Sequence, residues 1–159
     1  MKTPQTYTLG DVTAAMIAVL RETFEKVEGM YLDRGTAMFE TLATIGAEQA
    51  SRPVAPGASN VAAQVNHTTY YIVTISEYLQ GRQPEGVDWD ASWLVGEVDD
   101  ARWAALVAGL GTAYDELLML MADPLAWQDD EPIEGGIALI AHCAYHLGEI
   151  RRSLPLVQV

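Results

Sequence analysis

The stretch Ala141-His142-Cys143-Ala144-Tyr145-His146-Leu147-Gly148-Glu149-Ile150-Arg151 decides how the rest of the chain is read. With Leu139 before it, it places Leu139, His142, Cys143, His146 and Ile150 on one stripe with the three-to-four-residue step of a helix. A four-residue step sets His142 and His146 on one helical face, with Cβ atoms about 5–6 Å apart. Two imidazoles at that separation can share a metal ion. The helix is expected from about Ile133 to Leu154, with Pro132 suited to its first turn and Pro155 ending it.

Working outward, three more helical regions have the same period. The first is expected from about Asp11 to Glu48, with Asp11 as N-cap. Its apolar positions are Met16, Leu20, Phe24, Val27, Tyr31, Met38, Leu42 and Ile45, and Gly29 marks a kink or split. Pro53, Pro56 and Gly57 make a loop of residues 51–57. The second helix is expected from about Asn60 to Gln80, capped by Ser59 or Asn60 and ended by Gly81 in the left-handed conformation. Its inward stripe is Ala63, His67, Tyr70 or Tyr71, Thr74 and Tyr78. The third runs from about Asp100 to Asp123 behind a cap at Asp99, with Trp103, Leu106, Leu110, Tyr114, Leu117 and Met121 inward, and Pro124 stops it. Leu125 to Glu131 is a loop holding Trp127.

No period-2 apolar strand and no internal repeat is visible. The chain therefore reads as all-α, a single domain over residues 1–159, and four long helices suit a four-helix bundle. A helix of about 20 residues is roughly 30 Å long, and on the order of ten extended residues span that distance. Residues 81–98 are enough to carry the chain back along the bundle, so the second and third helices are expected to run parallel.

Composition excludes some functions. The 159 residues carry 22 acids against 9 bases, a net charge of −13, and such a surface repels phosphate and anionic lipid. Nucleic-acid and membrane-surface partners are set aside. Half of the residues are apolar, so this is not a disordered acidic tail. The single cysteine, Cys143, excludes an internal disulfide framework and agrees with a reducing, cytoplasmic location. Val12 to Leu20 is apolar, with Lys2 upstream, but follows Asp11 and ends at Arg21-Glu22 without a small-residue cleavage site. It reads as a buried helix rather than a leader. No stretch reads as a membrane span.

The chain has one further histidine, His67, and it too falls on an inward stripe. A lone inward histidine is ordinarily a hydrogen-bonded core residue. Three on inward stripes, two of them one turn apart, favour a three-nitrogen metal site with an open position. Cys143 or a carboxylate could in principle add a fourth ligand. Cys143 lies about 100° around the helix from His142, so it reads instead as a small buried residue. There is no His-Glu-x-x-His and no Glu-x-x-His. Imidazoles without carboxylates favour zinc, nickel or another borderline divalent ion over magnesium or calcium.

The segment His142-Cys143-Ala144-Tyr145-His146-Leu147-Gly148-Glu149-Ile150-Arg151 resembles the closing motif of DinB-like (YfiT-like) proteins. Tyr31-Leu32-Asp33-Arg34-Gly35, His67 followed by Tyr70-Tyr71, Trp89-Asp90-Ala91-Ser92-Trp93 and Trp103 extend the likeness over about Asp11 to Leu154. The resemblance implies an up-down-down-up four-helix bundle, a nickel or zinc ion on His67, His142 and His146, and homodimers. It also implies a small-molecule substrate. Characterised members include transferases and isomerases that use low-molecular-weight thiols such as bacillithiol or mycothiol, so an S-transferase or a related hydrolase or isomerase is expected. A non-catalytic, stress-associated bundle with a structural or absent metal is the alternative.

Other residues have two readings. Glu149 could act as a base on the open side of the metal, or pair on the surface with Arg151 or Arg152, which is preferred. Tyr71, or Tyr70, could bond a metal-bound ligand, or be a core phenol. Asp33 and Arg34 interrupt an apolar stretch; Arg34 could hold a substrate carboxylate, but an intrahelical or interhelical ion pair is preferred. Trp89, Trp93 and Trp127 are expected to pack the connections onto the bundle, and Asp129, Asp130 and Glu131 to form a solvated loop and helix start.

Overall fold

The computed structural model describes residues 6–127 and 130–158, with side chains in the last segment from residue 132 onward. Six α-helices follow one another: α1 (Leu9–Phe24), α2 (Met38–Leu42), α3 (Ala47–Ser51), α4 (Val61–Leu79), α5 (Asp100–Ala122) and α6 (Asp130–Val157). Short 3-10 turns occupy Ala91–Trp93 and Pro124–Trp127. No strand occurs among the described residues, so the fold is all-α as expected. Asp129 and the side chains of Asp130 and Glu131, expected to form a solvated loop and helix start, lie outside the described residues.

The caps of α4 and α5 are the expected ones. Asn60 Oδ1 accepts from the Ala63 amide at 2.8 Å, and Asp99 Oδ1 from the Arg102 amide at 2.7 Å. Gly81 follows α4 with φ +72°, a conformation that a Cβ disfavours. The α1 cap differs from expectation. Thr8 is the N-cap, its Oγ1 accepts from the Asp11 amide at 3.2 Å, and Asp11 Oδ2 accepts from the Thr8 amide at 2.8 Å. Asp11 is therefore the reciprocal half of a capping box one turn inside the helix.

The largest departure is the first helical region, which is not continuous to Glu48. It splits rather than kinks: α1 ends at Phe24, and Gly29, with φ +90°, lies in the non-helical stretch that follows. The buried carboxylate of Glu22 accepts from the amides of Glu28 (3.0 Å), Met30 (3.0 Å), Tyr31 (2.8 Å) and Leu32 (2.9 Å). Burial alone would raise the Glu22 pKa, but these four donors bring it down to about 2. Residues 25–37 fold around this anion. Consequently Tyr31 is exposed and Val27 half-buried, while Met16, Leu20, Phe24, Met38, Leu42 and Ile45 are buried as expected. Asp33 and Arg34 lie in this loop, both exposed, and Arg34 makes no ion pair among the described residues, contrary to expectation.

The end of α6 also differs. Pro155 does not stop the helix, which continues to Val157. Val157 is fully buried and its carbonyl accepts from Arg52 Nη1 at 3.1 Å, so tertiary contacts hold the turn that proline weakens.

The four long helices pack pairwise: α4 against α5 and α6, and α1 against α6 and α5. Asn60 Nδ2 donates to the Gly96 carbonyl at 2.9 Å, which ties the start of α4 to the approach to α5. Gly136, at the start of α6, sits so close to α1 that a Cβ there would come 2.6 Å from Met16 Cε and 2.7 Å from the Trp127 ring. All six inward positions expected of α5 are buried. By length and composition, however, α5 could cross a membrane: it has 23 residues, a most apolar window of mean hydropathy 1.4, and a third of that window buried. This corrects the expectation that no stretch approaches a membrane span, although a packed core helix meets the same criterion. Its other face carries the small residues Ala101, Ala104, Ala105 and Ala108.

Candidate metal centre

The three histidines come together. His67 stands one and a half turns into α4, and His142 and His146 on the facing side of α6. One ligand nitrogen from each lies within 4.8 Å of the others, and no cysteine or carboxylate joins the group among the described residues. The Nε2 atoms of His142 and His146 are 2.9 Å apart. His67 and His146 are buried and His142 is half-buried.

The rings are held individually. His67 Nδ1 lies 2.7 Å from Ser92 Oγ. His146 Nδ1 lies 2.6 Å from Gln64 Oε1, a carbonyl oxygen that accepts its proton. His142 is held by stacking on Tyr71, with ring centroids 3.5 Å apart and planes 13° from parallel. Trp93 stacks on His67 at 4.0 Å, Trp89 stands edge-on to it at 6.4 Å, and Tyr145 stands edge-on to His146 at 5.1 Å.

Burial disfavours the imidazolium form at all three. His67 is lowered by desolvation. His142 is brought to about 4 by desolvation and by His67, and His146 to about 3 by desolvation, His142 and His67. At neutral pH the rings are neutral and have lone pairs to give. Nitrogen donors without carboxylates, converging from two helices, fit a borderline divalent ion such as zinc or nickel rather than magnesium or calcium.

The other candidates are distributed as follows. Tyr71 is at the centre, and burial raises its phenol pKa, so the hydroxyl keeps its proton. Tyr70 lies further out, its hydroxyl accepting from the Asp88 amide at 2.9 Å. Tyr78, placed on the inward stripe, is exposed because it stands in the last turn of α4. Glu149 is exposed, outside the histidine group, and forms no ion pair with Arg151 or Arg152 among the described residues. Arg151 Nη1 donates to Thr41 Oγ1 at 3.2 Å instead. Cys143 is fully buried, and desolvation pushes its thiol pKa up. Trp93 and Trp89 do pack the connection onto α4, but at the histidines. Trp127 is buried and donates from Nε1 to the Met121 carbonyl at 2.9 Å.

Two residues escaped the sequence reading, Gln64 and Ser92. Gln64 precedes His67 by three residues, a weak sign that a polar group shares its side of α4. Nothing in the sequence pairs Ser92 with His67. No family model matches the chain, and neither a curated protein nor a solved structure is significantly similar to it.

Proposed function

We propose that this chain is a metal-dependent enzyme of the DinB-like class, holding one divalent ion on His67, His142 and His146. The observation that carries the reading is the convergence of three neutral imidazoles from α4 and α6 within 4.8 Å. The up-down-down-up bundle belongs to the same proposal. It is supported by the Asn60–Gly96 bond, which sets the starts of α4 and α5 side by side. Glu77 and Gln80 also line one cleft with Leu120 and Asp123 at the other ends of these helices. The approach of Gly135, early in α6, to Leu79, the last residue of α4, supports antiparallel α4 and α6.

The chemistry proposed is transfer of a small electrophile to a low-molecular-weight thiol: the thiol loses its proton, its sulfur forms a bond to the electrophilic carbon, and that carbon's leaving group departs with the electron pair. A bound zinc or nickel ion supplies a Lewis acid that lowers the pKa of a thiol or water. The residues supply the rest. Three uncharged ligands leave the cation its full charge. Trp89, Trp93 and Tyr71 form an aromatic wall around the imidazoles, which limits water and strengthens electrostatic interactions inside it. Tyr71, protonated and stacked on His142, would be the donor to a substrate oxygen. Glu149 is not used. A homodimer and a cytoplasmic location complete the proposal, with sedimentation and fractionation as their tests.

The test is elemental analysis of protein purified without an affinity tag, followed by thiol-transfer assays on stripped and reloaded protein. The reading expects about one zinc or nickel per chain and thiol consumption only in the loaded form. Untagged protein that neither contains nor takes up either ion overturns it. The burial of His67 and His146 favours a second reading, a resident structural ion without turnover. Loading with cobalt separates the two: a thiol that perturbs the visible spectrum reaches the ion, as catalysis requires.

A further inference from the structure

We propose that Ser92 and Gln64 are positioning residues that preset the metal-facing nitrogens of His67 and His146. By this inference the connection between α4 and α5 is a working part of the metal centre. It rests on the metal reading above and extends it to residues outside the ligand set.

The single proton of the Ser92 hydroxyl is committed to the Trp89 carbonyl at 2.6 Å. Ser92 Oγ can then only accept from His67 Nδ1, 2.7 Å away. That places the His67 proton on Nδ1 and its lone pair on Nε2. Across to α6, His146 Nδ1 donates to Gln64 Oε1 of α4 at 2.6 Å, which leaves its lone pair on Nε2 in the same way. Neighbours that bind the far nitrogen of a ligating histidine fix both its tautomer and its ring plane.

Ser92 is itself held to α4. Its carbonyl accepts from Asn66 Nδ2 at 2.7 Å. The Ala91 amide donates to Asp88 Oδ1 at 2.9 Å, and the Asp88 amide to the Tyr70 hydroxyl at 2.9 Å. The hydroxyl of Ser92, a residue 4% exposed, thus has a determined place beside His67, and packing alone would not need one there.

The test compares disruptive with conservative substitutions, with zinc and nickel themselves as probes. Ser92→Ala and Gln64→Leu are expected to weaken metal binding ten- to hundredfold. Ser92→Thr keeps the hydroxyl and Gln64→Glu keeps an acceptor, so both are expected to stay near the unchanged protein. Affinity is read by competition with a chromophoric chelator on stripped protein whose helicity has been checked. Folded Ala and Leu variants that bind as tightly as the unchanged protein overturn the inference. Conservative variants that lose as much as the disruptive ones overturn it too, since packing alone would then explain the losses. If the unchanged protein binds neither ion, the metal reading fails first and this inference with it. Because Ser92 and Gln64 lie on different elements, either pair serves if one variant does not fold.

Discussion

The α4–α6 and α1–α5 interfaces are both helix contacts inside one molecule, and they are filled differently. Between α4 and α6 lie imidazoles, two of which have a hydrogen-bond partner for the far nitrogen. Between α1 and α5, Phe24 stacks on Tyr114 with ring centroids 4.8 Å apart, and Phe39 from α2 packs against both at 5.6 and 5.7 Å. The one polar atom of that cluster, the Tyr114 hydroxyl, donates to Glu25 Oε1 at 2.6 Å. Burial and then that bond push the Tyr114 pKa up. The apolar interface needs only complementary shape. The polar one needs its buried nitrogens matched to hydrogen-bonding partners, a demand that apolar packing does not make.

The sharpest way to break this contrast is to replace both His142 and His146 with alanine. Bound metal is expected to fall from about one per chain to none while α-helical circular dichroism persists; undiminished metal would place the ion elsewhere. Next in size is Phe24→Ala on the other side. Deleting this fully buried ring is expected to cost about 3–5 kcal/mol of stability, read as a lower denaturant midpoint. Metal content per folded chain should not change. A smaller cost, about 1–3 kcal/mol, is expected for Gly136→Ala, whose methyl must displace Met16 or the Trp127 ring. An unchanged midpoint would mean that the α1–α6 contact yields freely.

The last contrast is the pH dependence that the histidine side adds. Folded His142 and His146 have pKa values of about 4 and 3, below the ordinary 6.5 of an unfolded chain. Between these limits the unfolded state binds more protons, so stability of the stripped protein falls as pH drops from about 6.5 toward 3. Above that window this contribution is flat. The double alanine variant should show a shallower slope in the same titration, and an equal slope would deny the histidines their role.

The histidine cluster was legible because it depends on spacing. His142 and His146 share a face at any helix length, and an inward stripe through His67 leaves few directions for its ring. The exact place of the break was not legible, because Val27 and Tyr31 continue the helical period past Phe24 through residues that form no helix. The choice was made by Glu22, whose buried charge demands donors and finds four amides eight to ten residues ahead or nearer. Pro155 misled for a related reason. Its ring weakens a helix locally, but the buried Val157 and the Arg52 bond keep the last turn.

Read alone, the amino-acid order determined the all-α class, the caps of α4 and α5, the inward stripes and the identity of the three imidazoles, since all of these follow from period and side-chain chemistry over a few residues. Only the tertiary structure decided where α1 ends, that Ser92 and Gln64 stand behind His67 and His146, and which aromatic rings surround them. Those choices join residues tens of positions apart, and no local pattern encodes which distant donor a buried charge or a buried nitrogen will meet.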